Sequence, residues 1–299
     1  VFVPEPMLLM GKSVNDSEAP LLWDFVRDVS LKVGATMPDN IVLGLDQGFF
    51  VTEHPVEFRD GTRTEGRVLY LPLPYMAYMT RDEVAAVIGH ELGHFTGADT
   101  EYSLHFSPIY ASVVNNLRAV AEISHGSGDF SGFSGRPALM LGEYYLDSFD
   151  LAVNHWNRER ELAADRMGAA AGGREALALS LLRITVLSPL VGQALQDCWD
   201  KGGRIEGGIL SRLRSMIVEN PLVLPPSFLE SVQEHPTDSH PPLSRRLEAV
   251  GMSLTPELAN HACSSVESGL LRELGIVGAT VAEKESWGAG ATVAPGQAS

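Results

Sequence analysis

Apolar residues recur along this chain at two spacings, and the spacing separates an early β region from a long helical remainder. Residues 1–16 carry two prolines and a polar stretch and read as an arm. After Ser17, the residues Leu22, Phe25, Val26 and Val29 share one helical face, with Pro20 in the first turn and Gly34 as a stop. Residues 41–45 and 49–52 are short β-type runs on either side of Asp46-Gln47-Gly48, which predicts a hairpin. Residues 53–66 are polar and loop-like, and 67–71 read as a third strand ended by Pro72 and Pro74. Thr80-Arg81-Asp82-Glu83 then has the form of a capping box, in which the Thr hydroxyl and the Glu carboxylate each satisfy a backbone N–H at a helix start. The helix it opens runs through Ala85, Ala86, Val87 and Ile88 to His94 and stops near Gly97.

Further helices are expected at 103–123 and from Pro137 to about 171, where Gly172-Gly173 breaks the pattern; a Gly/Ser-rich stretch, 126–135, separates them. Residues 176–195 are the closest approach to a membrane-length apolar run, but Arg183, Ser188, Pro189 and Gln193 interrupt it. They read as a buried helix followed by a turn. The resulting fold class is α+β, mostly helical, with a small N-terminal β-sheet beside the helix that ends at His94. The expected division is an N-terminal arm and helix at 1–35, one main domain at 36–275 and a flexible tail at 276–299.

Composition narrows the function classes. The 299 residues are 44% hydrophobic and 20% charged, ordinary for a folded protein with a sizeable core. The formal net charge of −16 opposes binding to phosphate backbones and to anionic lipid headgroups, so a nucleic-acid partner is not expected. Solubility alone accounts for that charge. The two cysteines, Cys198 and Cys263, form no C-x-x-C pair, which excludes a cysteine zinc knuckle and leaves the redox compartment open. Val1 in place of Met is read as a processed or excised start, with room for anchoring segments outside this stretch.

The chemistry sits in His90-Glu91-Leu92-Gly93-His94. Residues four apart on a helix share a face, so His90 and His94 can aim two imidazoles at one ion. Glu91 is about 100° further round the helix. That is too far to join them as a ligand, but it suits a base acting on a water beside the ion. Two exposed histidines on an amphipathic helix are the alternative reading. A catalytic zinc needs a third protein ligand. The best segment is Arg158-Glu159-Arg160-Glu161-Leu162-Ala163-Ala164-Asp165, where Glu161 and Asp165 share a face and Glu159 points away. Ala164, Gly168 and Ala169 lie near that face and permit close helix packing. A solvated Arg/Glu surface is the competing account of the same residues.

With those residues in view, the chain resembles the HtpX / CAAX prenyl endopeptidase family of gluzincin zinc metallopeptidases. H-E-L-G-H is followed some seventy residues later by R-x-x-E-x-x-A-D, matched by Arg158, Glu161, Ala164 and Asp165. Ser239-His240-Pro241-Pro242-Leu243-Ser244-Arg245-Arg246-Leu247 is similar to the family's H-P-P-L-x-x-R-I signature. Asn157, where many relatives have Ser, and Leu247 in place of Ile are the departures. The resemblance covers roughly residues 36–250. It implies a zincin-like domain holding one Zn2+ on His90, His94 and Glu161, with Glu91 as general base. It further implies that Asp165 orients a ligand histidine, that His240 approaches the substrate oxyanion and that Arg246 supports the site. It also implies membrane association of the longer protein, this stretch itself being soluble.

The expected reaction is hydrolysis of peptide bonds in polypeptide substrates, in protein quality control for instance, by Glu91-assisted attack of a water activated by zinc. Val68, Leu69 and Tyr70 mark the strand where an extended peptide can pair, or else an ordinary sheet edge. Two other functions fit the same residues. One is a chaperone-like binding module that keeps zinc for structure. The other is a latent enzyme in which His240 or its neighbours in 235–242 fill the open zinc position.

Overall fold

The computed structural model describes residues 6–46, 48–95, 157–201, 208–224, 241–264 and 266–276. The segment expected as an arm forms two strands, β1 (Met7–Leu9) and β2 (Gly11–Val14). Helix α1 (Pro20–Val33) buries the anticipated stripe of Leu22, Phe25, Val26 and Val29, and Gly34 closes it at φ 66, where glycine is favoured. Strands β3 (Asn40–Gly44), β4 (Phe50–Thr52), β5 (Val56–Phe58), β6 (Arg63–Thr64) and β7 (Val68–Pro72) follow. After them come α2 (Leu73–Met76) and α3 (Arg81–Gly93). Residues 157–172 are helical and are termed α4. The remaining helices are α5 (Arg174–Asp200), α6 (Gly208–Glu219), α7 (Leu243–Ala249), α8 (Pro256–Ala262) and α9 (Leu270–Glu273). The expected helix at 103–123, the stretch 126–135, the helix start at Pro137, and 277–299 of the expected tail lie outside the described residues.

The main sheet has the order β2-β3-β7-β4, with β3 and β7 parallel and the outer pairs antiparallel. The hairpin expected across 46–48 is therefore absent, because β7 inserts between β3 and β4. Apolarity explains the placement. All five residues of β7 are buried, whereas those of β4 are all half-buried. A strand covered on both faces belongs at the centre of a sheet. Leu69 and Leu71 face the main core with Ile41 and Leu43. Val68 and Tyr70 face the opposite way and join Val42, Leu9, Val56 and Phe58 in a second cluster. That cluster is why 53–66, expected as a loop, contributes β5 and β6 to a small sheet with β1.

Helix α5 contains the apolar run 176–195 and continues through Pro189 without the expected turn. Pro189 is exposed, so the backbone groups it leaves unpaired can reach water. It is the one described helix long and apolar enough to cross a membrane, and half of its apolar window is buried inside the fold. Arg183, in the middle of that run, is buried and paired with Glu83 at 3.0 Å. Glu83 also completes the capping box with Thr80, so the start of α3 is fixed from within and from α5.

Candidate metal centre

Helix α3 presents Val87, His90, Glu91 and His94 to one cleft, a spacing of i, i+3, i+4 and i+7. Helix α4 lies hard against α3 because small residues meet at the crossing. A Cβ on Gly168 would stand 2.6 Å from the Ala86 carbonyl oxygen, and one on Gly172 would collide with the Asp82 carbonyl. A Cβ on Gly89 would meet that of Ala171 at 2.5 Å. The anticipated small face at Ala164 and Gly168 thus has a matching small face on α3.

This close approach brings Glu161 to the two histidines. One carboxylate oxygen lies 3.5 Å from His90 Nε2 and the other 3.7 Å from His94 Nε2. One ligand atom from each of the three residues falls within 4.8 Å of the others. Tetrahedral ligands about 2.1 Å from zinc stand roughly 3.4 Å apart, so the donor set fits that ion with little adjustment. Glu159 is exposed, as its helical phase requires.

Asp165 is fully buried beneath this triad. Its Oδ1 lies 3.0 Å from His90 Nδ1, which leaves Nε2 facing Glu161. Arg246, on α7, donates to both Asp165 oxygens at 2.8 and 2.7 Å. Burial alone would raise the Asp165 carboxyl, but the bonds from Arg246 and His90 hold it below its ordinary value. Burial also works against the Arg246 charge, yet Asp165, Glu161 and Glu91 hold the guanidinium above its usual value. A carboxylate in that state accepts from imidazole Nδ1 and fixes the tautomer that presents Nε2.

Val68, Leu69 and Tyr70 do not serve as a substrate edge. Both of their edges are paired, with β3 and with β4, and all three are buried. Tyr70 acts as a strut: its hydroxyl donates to the Met10 carbonyl and accepts from the Asp46 N–H, each at 2.8 Å. The outer strand on this side is β4, and Gly48 and Phe49 just before it line the cleft. His240 lies outside the described residues; its neighbour Pro241 lines the cleft. Sequence reasoning passed over the cleft's other wall, Leu177, Leu181, Ile184 and Thr185 of α5. Their spacing was visible, but a helical stripe looks the same whether it faces a core or a cavity.

The model for peptidase family M48 matches residues 58–252, which take in α3, α4, Asp165 and Arg246. The chain belongs to peptidase family M48. Among its curated relatives, the Protease HtpX homolog of Pyrobaculum calidifontis is 30% identical over 203 residues, covering 66% of this chain and 56% of the relative. Protease HtpX homolog 2 of Saccharolobus solfataricus is 32% identical over 139 residues, 44% of this chain and 43% of the relative. Protease HtpX of Ectopseudomonas mendocina is 24% identical over 241 residues, 77% of this chain and 71% of the relative. The chain spans 50–59% of the length of the first several such relatives. No solved structure matches the chain.

Proposed function

We propose that this M48 chain is a zinc-dependent metalloendopeptidase that hydrolyses peptide bonds of polypeptide substrates. The observation that carries the reading is the convergence of His90, His94 and Glu161 within 4.8 Å, in the cleft that Glu91 also lines. A purely structural zinc site has no use for a carboxylate at that position. His90, His94 and Glu161 would hold the ion, which when bound supplies Lewis acidity for a water and for the scissile carbonyl. Glu91 accepts the proton of the attacking water and returns it to the leaving amine. Asp165 keeps His90 in the ligating tautomer, and Arg246 keeps Asp165 ionised. His240 is the candidate donor to the oxyanion, a role supported by Pro241 at the cleft wall. An extended substrate would pair along the outer edge of β4, just after the cleft-lining Gly48 and Phe49.

The test is metal-dependent cleavage of an unstructured protein such as casein. Stripping the protein with a chelator should abolish cleavage, and one equivalent of zinc should restore it. Zinc binding at one per chain with no cleavage of any polypeptide would refute the reading and favour a binding module.

A further inference from the structure

Gly48 and Phe49, in the connection from β3 to β4, form the part of the cleft wall next to β4. Strand β4 packs on α3 and has one edge without a strand partner among the described residues. A single side chain fixes this piece of wall from both sides. Ahead of it, the Tyr70 hydroxyl accepts from the Asp46 N–H and donates to the Met10 carbonyl, each at 2.8 Å. Behind it, the Tyr70 ring stacks on Phe50, its cross-strand partner, with centroids 4.7 Å apart and planes 7° from parallel. Gly48 and Phe49 lie in sequence between those two attachments.

Tyr70 is itself firmly held. It is fully buried in the central strand, and Met10 is tied in turn to both sides of the connection. The Met10 carbonyl also accepts from the Leu45 N–H at 3.1 Å, and the Met10 N–H donates to the Asp46 carboxylate at 3.3 Å. The hydroxyl reaches this position because residue 44 is glycine: a Cβ there would collide with the Tyr70 hydroxyl and the Met10 carbonyl. Burial, with the nearby charge of Asp46, pushes the phenol far above its usual range, so it keeps its proton and remains a donor. Phe49 faces the other way, into the main core, with its ring centroid 6.3 Å from that of Tyr75. Phe49 and Phe50 thus sit on opposite faces, and a shift of Phe50 carries Phe49 with it. We infer that Tyr70 is a positioning residue for substrate binding: from inside the sheet, without touching substrate, it sets where Gly48, Phe49 and the start of β4 stand beside the ligand triad. The inference rests on the protease reading above and adds a residue to its binding machinery. The ligands and the base are carried by α3 and α4 rather than by this connection, so the effect falls on binding and not on the chemical step.

The experiment measures kcat, KM and zinc per chain for the zinc-loaded protein, using an internally quenched peptide built around a casein cut site. Tyr70→Phe keeps the ring stack and removes only the hydroxyl, leaving the Asp46 N–H without that partner. Its KM should rise about fivefold or more, with kcat within about twofold of wild type and zinc per chain unchanged. Phe50→Leu, at a half-buried position that keeps the idea testable if Tyr70→Phe does not fold, should raise KM in the same way. Phe58→Leu loosens the same apolar cluster away from the connection, and should lower stability while leaving KM at the wild-type value. An unchanged KM in Tyr70→Phe, or in Phe50→Leu where Tyr70→Phe does not fold, overturns the positioning role and leaves the protease reading standing. So does an equal rise in Phe58→Leu, which would assign the effect to stability, or a loss of activity carried by kcat or by zinc. A zinc-loaded wild type that cleaves no polypeptide overturns both.

Discussion

Helix α3 is held near each end by a buried arginine–carboxylate pair, and the two pairs are built differently. At the start of the helix, Glu83 is met by Arg183 Nε and Nη2 at 3.0 and 3.1 Å. The other N–H groups of Arg183 reach the carbonyls of Ala262, Ser264 and His261, so all five of its donors face an acceptor. At the far end, Arg246 saturates Asp165, but above that pair His90, His94 and Glu161 face one another at 3.5 and 3.7 Å. Those separations are long for hydrogen bonds and right for ligands sharing an ion. A saturated network can only hold the helix in place, whereas one that gathers donors around a common point can also take up a cation.

The difference can be broken most severely at Glu161. Glu161→Ala should reduce the zinc retained after dialysis to background, measured by elemental analysis, and cleavage should fall with it. Full retention would mean that the third ligand lies elsewhere. The next largest effect belongs to the saturated end. Arg183→Met leaves Glu83 buried without its counter-charge and should cost about 3–5 kcal/mol in denaturant unfolding. The variant that still folds should keep one zinc per chain, because this end of α3 holds no ligand. Asp165→Asn should act on the metal, weakening zinc by roughly 10–100-fold in a competition titration with a chelator. An unchanged affinity would detach Asp165 from the site. The smallest effect is expected from an exposed pair of the same chemistry, Arg214 with Glu267, whose side chains are 61% and 40% exposed. Arg214→Ala should change stability by under about 1 kcal/mol, since water screens the pair. A larger loss would show that burial is not what separates these networks.

Much of the candidate metal centre could be read from local spacing. The capping box, the i, i+4 histidines and the i, i+4 carboxylates each depend only on helix geometry, and each stands where that geometry puts it. The apolar stripe of α1 was legible for the same reason. What escaped depends on partners distant in sequence. Glu83 and Arg183 are 100 residues apart, and Arg183 alone looked like a break in an apolar run. The central place of β7 depends on register with β3 and β4, so a strand taken for an edge became the middle of the sheet. Strands β1, β2, β5 and β6 are too short to announce themselves: Leu9 of β1 and Val56 and Phe58 of β5 cover the face of Tyr70, while β6 pairs with β5 and β2 with β3. The turn expected near Pro189 gave way to a helix whose solvent-facing side tolerates the missing hydrogen bond.

The central claim is that the cleft binds zinc and uses Glu91 as the base, and Glu91→Gln addresses it directly. Casein cleavage by the wild type and the variant should be compared at equal zinc occupancy. One zinc per chain is expected in both proteins, with a loss of cleavage of about 10²–10⁴-fold in the variant. Undiminished cleavage at full zinc occupancy would contradict it.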